Sequence, residues 1–119
     1  MDLLKDKVFY SNTFNGDPLN LAFVKGTLRY LQKNEGNVYG HIWTLGEDLR
    51  DAMENTGIKM IGHAPRMDMV WKNEQKRYDF CAECVRRGVV INRPFYVTLA
   101  HSSADVERTA TVASEVLSA

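Results

Sequence analysis

The sequence predicts an α+β domain: a small antiparallel or mixed sheet of three to four strands, helices packed on one face, and a long N-terminal helix in front. Three observations predict it. Apolar residues recur at helical spacing in four separate stretches. Between the second and third of these the apolar runs shorten to strand length, and one of them alternates. No strand–helix–strand series dominates, so an all-parallel sheet is not expected. The element order reads α-α-β-β-α-β-α.

The first helix is expected from Pro18 to about Asn34. Pro18 suits the first helical position, where its missing N–H costs nothing, and Asp17 is then the N-cap. Leu21, Val24, Leu28 and Leu31 form the predicted buried stripe, and Asn34-Glu35-Gly36-Asn37 ends it. A second helix runs from about Val38 to Asn55, with Val38, Ile42, Leu45, Leu49 and Ala52 or Met53 on its apolar face. Asn55-Thr56-Gly57 is a C-cap signal, Gly being free to take positive φ. Ile58 to Ile61 and Met67 to Trp71 are strand-length, and Gly62-His63-Ala64-Pro65 joins them as a hairpin. In the second run Met67, Met69 and Trp71 alternate against Asp68, Val70 and Lys72. A third helix from about Gln75 to Arg87 places Tyr78, Cys81 and Val85 on one side, with Cys84 beside them, and Gly88 ends it. Val89-Val90-Ile91 and Tyr96 to Ala100 are two further short apolar runs, split by Asn92-Arg93-Pro94; either could be a strand. Ser102 or Ser103 then caps a last helix, with Asp105 and Glu107 in its first turn, where the helix dipole favours acid. Val106, Ala110, Ala113 and Leu117 face inward.

Composition sets bounds on function. A length of 119 residues suggests one domain over residues 1–119, with 45% hydrophobic and 25% charged residues, as in ordinary globular chains. Lys+Arg and Asp+Glu both number 15, so the net charge is zero. A nucleic-acid module usually carries a basic excess, and none is expected here. No apolar run reaches membrane-spanning length, so no membrane partner is expected. The N-terminus is not a signal peptide, and two cysteines make no disulfide framework, which favours a cytoplasmic setting.

Several residues invite chemistry. Cys81-Ala82-Glu83-Cys84 matches C-x-x-C, but zinc needs four ligands, and His41, His63 and His101 are scattered. A redox pair belongs at a helix N-terminus, whereas this pair lies mid-helix, so buried structural cysteine is the favoured reading. His101 could be a general base, yet no nucleophile motif accompanies it; a histidine hydrogen-bonded at a strand-to-helix corner is favoured. Arg86-Arg87 complements the dipole at the end of the third helix. Met53, Met60, Met67 and Met69, with Trp43 and Trp71, read as core. Thr13-Phe14-Asn15-Gly16-Asp17-Pro18 places a hydroxyl, an amide and backbone N–H groups at a helix start, as in phosphate sites. Asp17 can satisfy those N–H groups itself, and from composition alone the helix cap is favoured.

The order of these motifs resembles the C-terminal part of class III pyridoxal-phosphate-dependent aminotransferases, in their glutamate-1-semialdehyde aminomutase-like branch. Those enzymes carry a stretch similar to Gly-Thr-Phe-Ser-Gly-Asn-Pro-Leu before a long helix; here it reads Asn12-Thr13-Phe14-Asn15-Gly16-Asp17-Pro18-Leu19. Asn15 and Asp17 replace the usual Ser and Asn. A second segment, similar to Ser-x-Ala-His-Thr-x-x-Asp, corresponds to Thr98-Leu99-Ala100-His101-Ser102-Ser103-Ala104-Asp105, and Gly88-Val89 precedes it as a "G-V" strand start. The resemblance extends from about Val8 onward.

The resemblance implies that Thr13 is the cofactor-binding residue, helping to hold the pyridoxal phosphate group in the site of the neighbouring subunit of a dimer. It implies also that the Schiff-base lysine and the aspartate facing the pyridine nitrogen belong to a large domain preceding this region. Neither Lys25 nor any other lysine here lies in such a motif. The expectation is therefore a C-terminal domain fragment of an aminotransferase or aminomutase, inactive alone, with no catalytic residue, no metal ligand and no tightly bound cofactor. Its partner would be the parent's large domain. The alternative is a non-catalytic binding or assembly module, docking on a separate large domain or self-associating through apolar surface around Phe9, Phe14 and Phe23. A small metal or redox protein using Cys81 and Cys84 is the weakest reading.

Overall fold

The structure is a computed structural model that describes residues 16–91 and 93–119. By internal contacts the chain falls into two units, Met1–Glu35 and Gly36–Ala119. The elements follow the expected order: α1 Pro18–Lys33, α2 Glu35–Asn55, β1 Met60–His63, β2 Arg66–Met69, α3 Glu74–Arg86, β3 Phe95–Tyr96 and α4 Ser103–Ser118. Among the described residues, four helices and a three-stranded antiparallel sheet of order β1-β2-β3 make the predicted α+β fold.

In the first unit, Asp17 caps α1 as expected: its Oδ1 accepts from the Leu19 N–H at 3.0 Å, and Pro18 opens the first turn. The helix ends on Asn34, whose backbone N–H bonds the Tyr30 and Leu31 carbonyls and whose side-chain amide also donates to Tyr30 O at 2.9 Å. The expected buried stripe is corrected here. No residue of α1 is buried, and Leu21, Val24 and Leu28 are each more than half exposed. Periodicity identifies an apolar face; it does not supply an element to cover it. The expected four-residue stop also shrinks to Asn34 alone. Glu35, Gly36 and Asn37 already form the first turn of α2, where the Glu35 carboxylate suits the positive end of the helix.

In the second unit, α2 buries Val38, Leu45, Gly46, Leu49 and Met53, with Ile42 and Ala52 partly buried against the same core. The hairpin pairs Met60 with Met69 and Gly62 with Met67, which puts Met60, Met67 and Met69 on the inner face. All four methionines expected in the core are there, together with Ile58, Phe80, Cys84, Phe95 and Val112. Trp43 departs from expectation: it is 45% exposed and meets His63 edge-on, its ring 6.2 Å away. The strands are displaced by two residues at the turn, since Gly62 and His63 belong to β1 and only Ala64-Pro65 joins it to β2. Gly62 sits at φ +105°, and a Cβ there would lie 2.7 Å from the Arg66 carbonyl oxygen. Of the two late apolar runs, 89–91 is no strand, and β3 contains only Phe95 and Tyr96, extended by a Val97 N–H to Pro65 O bond. Proline at position 94 has no donor for a ladder, which keeps this edge strand short.

The third and fourth helices pack on each other. Asn73 caps α3 through Oδ1, which accepts from the Gln75 and Lys76 N–H groups at 2.8 and 3.2 Å. The buried side of α3 is Arg77, Phe80 and Cys84, not the predicted Tyr78, Cys81 and Val85; Tyr78 and Val85 are exposed and Cys81 is half-buried. The reason is Arg77. Its guanidinium reaches Glu74 at 2.8 Å and stacks over the Tyr78 ring, so its stem can lie against the core while the charge stays paired. A reading that rejects Arg from core positions rotates the stripe by one residue. In α4, Val106 and Ala113 are buried as expected, Val112 joins them, and Leu117 turns out to be 42% exposed. At the other end of this pair, Arg87 bonds Glu83 and Glu115, and Arg108 donates to the Arg87 carbonyl at 2.9 Å.

At Gly46 the helix α2 touches the turn of the hairpin. A Cβ there would collide with the Ala64 carbonyl oxygen and stand 3.1 Å from the Ala64 Cβ, whereas one at Gly40 would meet nothing within 4 Å. Gly46→Ala should therefore cost about 1–3 kcal/mol by overpacking, and Gly40→Ala should add about 1 kcal/mol through helix propensity. Urea unfolding followed by circular dichroism checks both; a neutral or stabilising Gly46→Ala would contradict the close approach.

Candidate functional site

The turn ahead of α1 is the first candidate. Thr13, the residue singled out for a phosphate contact, lies outside the described residues, as do Phe14 and Asn15. The described part of the turn can be tested. Gly16 takes φ +83°, Pro18 has no N–H to give, and the Leu19 N–H is bound by Asp17 Oδ1. Asp17 Oδ2 accepts from the Asn20 side-chain amide at 3.0 Å. A carboxylate thus occupies the place at the helix start where a phosphate would be held. The described residues of this turn do not fit a cofactor phosphate by themselves, so any such contact rests on the Thr13 hydroxyl.

The second candidate is built where β3 passes into α4. His101 stands at that corner with its ring folded back on the strand end: the Thr98 N–H donates to Nδ1 at 3.0 Å, and the Thr98 hydroxyl lies 3.2 Å from the same atom. Because Nδ1 accepts a backbone proton, the imidazole carries its own hydrogen on Nε2. A triad-type base needs the opposite arrangement, with Nδ1–H held by a carboxylate so that Nε2 can take a proton. His101 therefore reads as a structural corner, which matches the expectation for it. Its carbonyl oxygen also accepts from His41 Nε2 at 3.1 Å, tying α2 to the corner.

Four residues on, Asp105 Oδ2 accepts from both the Ser102 N–H and the Ser102 hydroxyl, at 2.7 and 2.8 Å. These bonds, the backbone one foremost, hold its carboxyl below the usual range. Behind the corner lies a cavity of about 260 Å³ with Leu45, Leu49, Ile91, Phe95 and Val106 in its walls and His101 and Asp105 among its polar lining. The motif segment Thr98–Asp105 thus borders a cleft of the second unit.

Cys81 and Cys84 are both free thiols, one half-buried and one buried. Burial pushes the Cys84 thiol up to about 11, and Cys81 is raised for the same reason. A reactive pair needs the opposite shift. No group of three or more metal-ligating side chains occurs among the described residues. The pair is core, as the residue pattern suggests.

A polar constellation escapes the sequence pattern. Arg93 bonds Asp68 at 2.7 Å and Glu74 at 3.4 Å, and Glu74 holds Arg77, so four charged residues from β2, α3 and the segment before β3 form one chain. Asp68 also accepts from the Met69 N–H at 2.9 Å. These residues are 25 and 19 positions apart along the chain in their longer pairings. No local spacing signals such a contact; only the odd Arg in the core phase of α3 could have hinted at it.

In comparison with known proteins, part of the chain is similar to a glutamate-1-semialdehyde 2,1-aminomutase of Haloarcula marismortui, with 44% identity over 48 residues. The match covers 40% of this chain and 10% of that protein, so it spans a tenth of the relative's length. No protein-family model and no solved structure matches the chain.

The thiol environment generates a pH prediction. Burial raises the Cys84 thiol from an ordinary 9.0 to about 11 in the folded chain. Between those values the unfolded chain gives up the proton and the folded chain keeps it. The stabilising contribution is then complete below pH 9 and lost as pH rises through 11. Urea midpoints measured from pH 8 to pH 11 should fall more steeply for the parent chain than for Cys84→Ala. In the native state at pH 8, alkylation should reach Cys81 before Cys84.

Proposed function

We propose that this chain serves as the C-terminal small domain of a pyridoxal-phosphate-dependent aminotransferase or aminomutase and has no catalytic activity of its own. The observation that carries the reading is the stretch 44% identical to an aminomutase. The three-stranded antiparallel sheet with helices on its inner face agrees with the small domain that the resemblance implies. In this reading amino-group transfer is the reaction of the parent dimer, in the cytoplasm, and this chain closes over a site built by the large domain. Thr13 contributes a hydroxyl to the cofactor phosphate of the neighbouring subunit. Pyridoxal phosphate does its chemistry through an imine and a group at its pyridine nitrogen, both supplied from outside this chain.

Two measurements test the reading. Incubated with pyridoxal phosphate and reduced with borohydride, the isolated chain should show no single lysine labelled to stoichiometry. One such lysine, with a stable long-wavelength band that its mutation removes, would overturn it. An aminomutase deleted of its C-terminal region should retain this chain on an affinity column, whereas the intact enzyme should not.

One observation favours the alternative assembly role. Leu19, Phe23, Leu28 and Tyr30 on α1 are each more than half exposed. An apolar surface of this kind drives association with a large domain or with a second copy. Sedimentation at micromolar concentrations decides between them: self-association should be visible if a second copy covers the face, and a clean monomer that still binds the truncated aminomutase assigns the face to the large domain.

A further inference from the structure

Thr98-Leu99-Ala100-His101 is a turn closed twice. The His101 N–H donates to the Thr98 carbonyl at 3.2 Å, and the His101 ring returns the contact, its Nδ1 accepting from the Thr98 N–H at 3.0 Å. The Thr98 hydroxyl oxygen lies 3.2 Å from the same nitrogen and accepts from the Ala100 N–H at 3.3 Å. A backbone N–H can only donate, so His101 Nδ1 must be bare. At His41 the requirement is the reverse. Its Nε2 meets the His101 carbonyl oxygen at 3.1 Å, an atom that only accepts, so that nitrogen must carry a proton.

The two histidines therefore respond to acid in opposite ways. An imidazolium has an N–H on both nitrogens. The His41 bond survives protonation, because its Nε2 is a donor before and after. The His101 bond does not, because two donors would then face each other at 3.0 Å. An acceptor stands ready beside it: Thr98 Oγ1 has a second lone pair and lies at 3.2 Å. The titratable groups facing this corner among the described residues are few. Asp105 on α4 is held by the Ser102 N–H and hydroxyl, and the charge of His101 helps to keep its carboxyl ionised. His41 approaches from α2. Tyr96 of β3 lines the same cavity, and Val89, Val90 and Ile91 on its wall carry no charge. The one carboxylate near the ring favours the charged form, and the one bond to the Thr98 N–H favours the neutral form.

We infer that the turn between β3 and α4 is a proton-operated clasp: a proton taken up from solvent on His101 Nδ1 releases the Thr98 N–H, and the ring then donates to the Thr98 hydroxyl oxygen instead. Because His101 lines the cavity of about 260 Å³, the wall of that cleft changes with the same proton. All of these contacts lie within the second unit, and none depends on the aminotransferase reading.

Nitrogen-labelled protein titrated from pH 8 to pH 5, the range in which imidazoles change charge, tests it, with His41 and His63 as internal references. At pH 8 the ring nitrogens of His101 should show a bare Nδ1 and a protonated Nε2. As that ring charges, the Thr98 amide proton should move upfield, with the same midpoint as the His101 Cε1–H. His101→Asn places an amide oxygen near the position of Nδ1 and cannot titrate, so the Thr98 amide should then hold one position across the range. His41→Gln should leave the Thr98 transition in place. An Nδ1–H tautomer of His101 at pH 8, a Thr98 amide that stays still while the His101 ring titrates, a Thr98 midpoint that follows His41 instead, or a Thr98 transition that persists in His101→Asn would each overturn the inference. If that variant does not fold, the titration of the parent protein decides alone.

Discussion

Gly46, Arg50 and Glu54 stand one turn apart on α2 and meet Ala64, Gly62 and Met60 in reverse order along the hairpin. Gly46 gives the Ala64 backbone its room, Arg50 donates to the Gly62 carbonyl at 2.6 Å, and Glu54 accepts from the Met60 N–H at 3.2 Å. The match is geometric. Four helical residues advance about 6 Å, and two strand residues advance about 6.7 Å, so a helix and a strand running in opposite directions stay in step over three contacts. The carbonyl of Gly62 and the N–H of Met60 point away from β2 in this register, where they form the open edge of the sheet. Side chains from α2 take both, which shields an edge that would otherwise pair with another chain.

The core follows from that seating. With β1 held against one side of α2, Leu45, Leu49 and Met53 face the inner surface of the sheet and meet Met60, Met67 and Met69. Flexible thioethers fill the uneven space between helix and hairpin. The second helix pair then closes the far side through Phe80, Cys84, Val106 and Val112. Ion pairs add position more than energy. Arg87 links α3 to Glu115 of α4, and Arg93 links the segment before β3 to Asp68 and Glu74; both guanidiniums are a third or more exposed, where such pairs contribute little to stability.

The two candidate sites differ in how far they can be read. The corner at His101 is complete within the second unit: strand end, imidazole, capped helix and cavity are all in place, and the imidazole is spent on structure. The turn at Asp17 is complete only as a helix cap. Its carboxylate satisfies the helix start, accepting from the Leu19 N–H. The similarity to an aminomutase is limited to 48 residues.

Local chemistry was legible in the residues themselves. Pro18 after Asp17, Gly57 after Asn55, Gly88 after α3 and Ser102 before Asp105 mark element ends because each depends on the conformation or hydrogen bonding of a few adjacent residues. The order α-α-β-β-α-β-α and the methionine core followed from periodicity for the same reason. What the sequence did not reveal depends on groups distant along the chain. The phase of α3 turned on whether Arg77 could be paired while buried, which Glu74 and the Tyr78 ring decided. The role of Gly46 depended on Ala64 arriving beside it. The face of α1 was legible as apolar, but not that Leu21, Val24 and Leu28 are each more than half exposed. The sequence by itself determined the order of the elements and most of their caps, because those are short-range properties of the backbone. Only the tertiary structure decided which faces found partners, because burial is a property of two surfaces and each stretch of sequence describes one.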